Sequence, residues 1–334
     1  MYKALQVTKD GQLELVEKQV PTPLKDQVLI QVEACGMCGA DLSDILGENQ
    51  VTRVPGHEVI GRIIALGEEV SIFWTLGQRV GVGRLAGHCN ECIQCRQGAF
   101  VHCTNQSFLG NNQDGGYAEL MLAKATGLVA IPEGLESVDA APLLCAGLAT
   151  FNALKKSGAQ AGDLVAIQGI GGLGHLALQY ANKMGFKVVA IGRGEDITSD
   201  VKKLGAHIYI DTNTQDAIVE LQKLGGAKLI LTTVSNASAV SPLIAGLEPK
   251  GKLILLGAGK DPLSLSSGKL VVGEHIVQGS LTGRPYDSEK TLDFSLLANI
   301  RPEIEIVTLD SVNEALERLK TGDVKFRFVI KMNA

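Results

Sequence analysis

The rhythm of hydrophobic and polar positions changes near residue 150. Before it, QVLIQVEA (27–34), EVIGRIIALG (58–67) and QRVGVG (78–83) are short Val/Ile-rich runs bounded by Gly or Pro, and they predict strands. GGYAELMLA (115–123) predicts a further strand. Between Arg84 and Asn112 the pattern has little periodicity, which predicts a loop held by something other than a core. After residue 150 the pattern alternates. DLVAIQG (163–169) reads as a buried strand and KVVAI (187–191) as another. Between them GLGHLALQYANKMG (172–185) predicts a helix, with Leu173, Leu176, Ala177 and Tyr180 at helical spacing. The alternation continues to about residue 257 and implies right-handed crossovers in a parallel sheet. The tail departs from it. SVNEALERLKTG (311–322) predicts a helix opened by a capping box from Ser311 to Glu314 and ended by Gly322. KFRFVIKM (325–332) predicts a last strand that returns to the first domain.

A chain of 334 residues suggests two domains, at about 100–200 residues each. Hydrophobic residues at 45% and charged residues at 20% exclude a disordered chain. No run of about 18 apolar residues suggests a membrane span, and the first residues lack a signal-peptide core, so a cytoplasmic protein is expected. The net charge is −5 with no basic block, so nucleic-acid binding has no electrostatic footprint.

The seven cysteines all lie in the first half, and an odd number argues against a full disulfide set. Cys89, Cys92, Cys95 and Cys103 fall within one short loop. Four thiolates so spaced fit a closed tetrahedral zinc site, whose binding energy would fix the loop. An iron–sulfur cluster takes the same ligands and stays open as the alternative.

GIGGLG (169–174) sets Gly169, Gly171 and Gly174 in the G-x-G-x-x-G order, with Gly172 and Leu173 inside the turn. It follows a predicted strand and opens a predicted helix, the context a dinucleotide fingerprint requires. The helix N-terminus would then face the pyrophosphate. At the end of the next strand, where a carboxylate would accept from a ribose hydroxyl, stands Gly192, followed by Arg193. Without that carboxylate a 2′-phosphate is not repelled, and Arg193 can pair with it. NADP(H) is therefore favoured over NAD(H), although Glu195 lies close enough to restore a ribose contact.

A third, dispersed set consists of Cys38, the pair His57 and Glu58, and Cys145. With the two motifs above, it resembles the zinc-dependent alcohol dehydrogenases of the medium-chain dehydrogenase/reductase family. The resemblance runs through CGMCGADL (35–42), GHEVIGRI (56–63), GHCNECIQCRQGAFVHC (87–103), GGYAEL (115–120), APLLCAGLATF (141–151), GIGGLGHLALQYA (169–181) and FRFVIKM (326–332), in the family's order.

It implies an α/β protein with a GroES-like, partly open β-barrel as catalytic domain, residues 1–148 completed by 285–334, and a Rossmann domain over 149–284. It implies two zinc ions per chain. Cys38, His57 and Cys145 would hold the catalytic one, and Cys89, Cys92, Cys95 and Cys103 the structural one. Asp41 would orient His57, Glu58 would lie just behind the metal, and Arg327 would contact the cofactor pyrophosphate. Small alcohols or aldehydes would be substrates, neither nucleic acid nor membrane would be a partner, and a dimer or tetramer is expected.

The sequence departs from the family at one place. Ala40 stands where many members pass the alcohol proton outward through a hydroxyl, Ser43 where a His often continues that relay, and Ala149 where a Thr is frequent. A relay through water, involving Ser43, is expected instead. A polyol or sugar dehydrogenase of the same family and a non-catalytic cofactor-binding protein are the alternatives.

Overall fold

The computed structural model describes residues 1–47 and 52–332. The chain forms two compact units, residues 1–148 with 283–334, and residues 149–282.

The first unit is organised by one long strand, Gln27–Met37, whose residues are buried on both faces over most of its length. It pairs antiparallel with Val59–Leu66, with Leu120–Lys124 and with the tail strand Arg327–Lys331. In that register Val59 lies opposite Cys35 and Phe328 opposite Met37, so residues 57–58 and 327 converge where the strand runs into Cys38. The sheet continues through Arg79–Val82 to Leu128–Ala130 on one side and ends at Ile304–Val307 on the other. Ile30, Val32, Ile63, Val80, Leu109, Phe328 and Ile330 belong to its apolar core. Burial of such branched side chains contributes roughly 1.5–3 kcal/mol each.

Two local expectations need correction. The ladder in the predicted strand 115–123 starts only at Leu120. Gly115, Gly116 and Tyr117 instead donate their backbone N–H groups to the carbonyls of Val54, Gly56 and Pro55. The helix Val312–Thr321 ends at Gly322 in the left-handed region, as the sequence predicts, but Ser311 makes no side-chain cap there. Its hydroxyl accepts from the Thr308 N–H at 3.1 Å and closes the preceding 3-10 turn.

The second unit is a six-stranded parallel sheet. Numbered from Leu164–Gln168 as the first strand, its order is 3-2-1-4-5-6, the doubly wound arrangement that binds ligands where the order reverses. Leu164–Gln168 is buried throughout, which is why it reads as an uninterrupted apolar run. One helical stretch, Ser137–Lys156, is long and apolar enough to cross a bilayer, but 83% of its apolar window is buried within the protein, so it is a core helix.

Candidate active site and metal centres

Cys38 ends the long strand and is the N-cap of the helix Gly39–Leu46. The Cys38 N–H donates to Asp41 Oδ2 at 2.8 Å, which holds Asp41 in the first turn, facing back toward Cys38. His57 follows Gly56, whose φ of +97° only glycine adopts freely. A Cβ there would also lie 2.4 Å from the Tyr117 ring. Cys145 comes from a wide π-type turn, Leu143–Gly147, within the long core helix. Such turns re-aim side chains and recur at functional sites.

These elements bring Cys38, His57, Glu58 and Cys145 together, with their ligating atoms within 4.8 Å of one another. The two sulfurs are 4.0 Å apart. His57 Nδ1 donates to Asp41 Oδ1 at 2.7 Å, while its Nε2 is fully buried and has no hydrogen-bond partner among the described residues. The hydrogen bond from the Cys145 thiol, helped by His57, holds Cys38 well below the usual thiol range, and Cys145 rises in exchange. Two cysteine sulfurs and a buried imidazole nitrogen without a hydrogen-bond partner among the described residues form a donor set suited to zinc. Glu58 is raised to about 7 by burial, against the pull of the Arg327 guanidinium.

Arg327 is expected at a cofactor pyrophosphate. Its side chain is only 3% exposed, with Nη2 paired to Glu58 Oε2 and Nε without a hydrogen-bond partner among the described residues. A solvated surface arginine is thereby excluded. Cys35, the cysteine left over, is a buried thiol raised well above its ordinary value by burial.

The four-cysteine loop gathers on its own. Sγ–Sγ distances are 3.6 Å for Cys89–Cys103, 4.0 Å for Cys89–Cys95 and 4.0 Å for Cys92–Cys103. Two sulfurs on one tetrahedral zinc, with bonds of about 2.3 Å, lie roughly 3.8 Å apart. Three backbone N–H groups donate to these sulfurs at 3.4–3.5 Å. Such donors, from Cys95 and Thr104, lower Cys92 to about 5. Thiolates stabilised in this way are prepared for metal.

In the second unit, a cleft of about 550 Å³ is lined by Gly169, Ile170, Gly192, Arg193, Thr212 and Val234, among others. Gly169 turns the chain at a φ of +86°, and a Cβ on Gly174 would fall 1.9 Å from the Gly169 carbonyl oxygen. Gly171 has open space at its Cβ position, so a ligand can approach the backbone there. Gly172 and Leu173 carry the turn into the helix Gly174–Lys183.

The sequence matches the alcohol dehydrogenase GroES-like domain family over residues 24–133 and the zinc-binding dehydrogenase family over residues 172–297. An alcohol dehydrogenase of Penicillium expansum is 41% identical over 323 residues, covering 96% of this chain and 94% of its own. The chain belongs to the zinc-type medium-chain alcohol dehydrogenases. The structure of a cinnamyl alcohol dehydrogenase from Sorghum bicolor is similar, with a TM-score of 0.88 at 29% identity, over 99% of this chain and 96% of that one. A second, from Helicobacter pylori and complexed with NADP(H), has a TM-score of 0.86 at 26% identity, over 99% and 97%. The protein is thus an oxidoreductase with alcohol dehydrogenase activity, using zinc and a nicotinamide cofactor on small alcohols or aldehydes.

Several residues of this alcohol dehydrogenase site are not legible in the sequence. Asp44 sits beside Asp41 and His57 and is held by Arg84, whose Nη2 donates to Asp44 Oδ1 at 3.0 Å. Tyr117 OH donates to Asp41 Oδ2 at 3.0 Å. No periodicity or spacing announces these pairs; only the GGY triplet, with two glycines before a fully buried tyrosine, hints at a close approach. Two aromatic side chains of the first unit make ring contacts. Trp74 packs edge-on against Phe73 at 4.8 Å, and Phe100 lies 4.2 Å from the His88 ring, beside the four-cysteine loop.

Proposed function

We propose that this alcohol dehydrogenase holds two zinc ions per chain and prefers NADP(H), interconverting primary or secondary alcohols with aldehydes or ketones. The observation that supports an active-site zinc is His57. Its Nε2 is buried and has no hydrogen-bond partner among the described residues, His57 is clustered with the Cys38 and Cys145 sulfurs, and Asp41 occupies Nδ1. A buried orphan nitrogen costs about 1–3 kcal/mol, a penalty that a metal bond removes.

Bound there, zinc supplies a Lewis acid to the substrate oxygen, and the nicotinamide takes or gives the hydride. Cys38 and Cys145 supply two sulfur ligands. Asp41 keeps the proton on His57 Nδ1, so that the Nε2 lone pair faces the metal. Glu58, grouped with the two sulfurs and His57, is paired with the buried Arg327 guanidinium. Ala40 offers no hydroxyl and Ser43 is exposed, so the alcohol proton leaves through water that Ser43 can contact.

The cofactor preference rests on the rim of the cleft. Arg193 is exposed and has no ion-pair partner among the described residues. A side chain at Gly192 would crowd Ile197 at 3.0 Å and the Tyr209 ring at 3.1 Å, so this position resists a carboxylate. The test is reduction of one aromatic aldehyde by zinc-replete enzyme with NADPH or NADH. Faster turnover with NADPH is expected, and Arg193→Ala should raise the KM for NADPH about 10–100-fold, the loss of one charged hydrogen-bonding group. An unchanged NADPH KM in that variant discards the phosphate argument and leaves the dehydrogenase.

A further inference from the structure

We propose that Tyr117 is a positioning residue for the zinc at Cys38, His57 and Cys145: its hydroxyl fixes Asp41, and Asp41 fixes His57. The inference rests on the zinc assignment above and extends it one link outward.

Asp41 is fully buried and receives three donors. His57 Nδ1 bonds Oδ1 at 2.7 Å, and Oδ2 accepts the Cys38 N–H at 2.8 Å and the Tyr117 hydroxyl at 3.0 Å. The Cys38 amide ties Asp41 to one metal ligand and the imidazole ties it to another. Tyr117 is the remaining donor, and it comes from a distant segment. Burial, and then the Asp41 charge, push its phenol well above the ordinary value, so it stays protonated and donates.

The same segment also holds the backbone that presents His57. Gly115 N–H donates to the Val54 carbonyl at 2.7 Å, Gly116 N–H to Gly56 at 3.0 Å and Tyr117 N–H to Pro55 at 3.0 Å. The Asp114 carboxylate accepts from the Val54 N–H at 3.0 Å. Side chains at Gly115 or Gly116 would break this strap, since their Cβ atoms would meet the Gly56 carbonyl oxygen at 2.1 Å and Val59 Cγ2 at 2.3 Å. Residues 114–117 therefore grip the backbone of residues 54–56, just before His57, and Tyr117 reaches past them to the carboxylate behind His57. Partners that orient a metal-bound imidazole are worth about 10–100-fold in metal affinity or activity.

The test is zinc release from the holoenzyme to a chromophoric chelator, with the Cys38→Ser variant identifying which zinc leaves. Tyr117→Phe keeps the ring and removes the hydroxyl. It should weaken retention of the active-site zinc about tenfold and leave the four-cysteine zinc unchanged. In an Asp41→Asn background the same change should alter retention less than about twofold, because the link it acts through is already cut. Unchanged retention in Tyr117→Phe, equal weakening of both zincs, or an undiminished effect in Asp41→Asn overturns the proposal. Wild-type protein that holds no more zinc than Cys38→Ser overturns the zinc assignment and this inference together. If Tyr117→Phe does not fold, the wild-type protein still decides. The Tyr117 hydroxyl proton and the His57 Nδ1 proton should show a nuclear Overhauser contact across Asp41, and its absence overturns the proposal.

Discussion

Cys89, Cys92, Cys95 and Cys103 meet inside one loop, whereas Cys38, His57 and Cys145 arrive from a strand end, a glycine turn and a π-type turn in a core helix. The loop site is partly exposed and carries four sulfurs, a complete tetrahedral set. The dispersed site offers two sulfurs and one imidazole nitrogen beside a buried carboxylate, so the coordination of a metal there could stay open for a substrate oxygen. The contrast separates two uses of the same thiol chemistry. In the loop, a metal would stand in for a hydrophobic core that a segment without periodicity cannot build. At the dispersed site, the sheet register and helix cap position the donor side chains, and a metal would be left for chemistry.

The largest expected effect breaks this contrast from the chemical side. Cys38→Ser should lower kcat/KM at least roughly a thousandfold, since Lewis-acid assistance is worth several kcal/mol. Its thermal midpoint should stay close to wild type, because the core around it persists. A variant that keeps most of its activity sinks the assignment of Cys38. The reverse pattern is expected of Cys95→Ser. It should lose one zinc per chain, measured by atomic absorption, and several kcal/mol of unfolding free energy, on the order of a structural zinc's folding contribution. Proteolysis should then cut within residues 87–107. Equal thermal stability with and without that zinc would show that the loop is held by other contacts.

The smallest effect sharpens the comparison at the dispersed site, the one place where a proton must leave. Ala40→Ser should change turnover by less than about fivefold, a shift under roughly 1 kcal/mol, if water already carries the proton. A rise of orders of magnitude would show a proton path that is broken in the natural sequence.

Much of this was legible without coordinates because the informative features are local. The four-cysteine spacing, the G-x-G-x-x-G turn and the apolar strand before it each declare themselves within about twenty residues. The alternation after residue 150 announces a parallel sheet for the same reason: each strand buried on both faces is a continuous apolar run. The first unit was harder to read. Its central strand takes partners from residues 59–66, 120–124 and 327–331, and no window of sequence contains such a register. The capping box read at Ser311 failed because a 3-10 turn used the same hydroxyl one step earlier. Arg327 could be assigned a cofactor contact from resemblance, but its burial against Glu58, 269 positions away, follows from both neighbouring strands pairing with Gln27–Met37.

By itself, then, the sequence determined the two domain rhythms, the four-cysteine cluster in one loop, the G-x-G-x-x-G turn between strand and helix, and the missing carboxylate at Gly192. Each depends on residue type at short separation, where chain geometry leaves few alternatives. Only the tertiary structure decided the rest: the orphaned Nε2 of His57, the hydroxyl of Tyr117 on Asp41, and Arg327 buried on Glu58. These depend on the direction of buried polar atoms, which is set only when distant strands lock into register and decides which donors and acceptors removed from water are paired and which few are left without a partner.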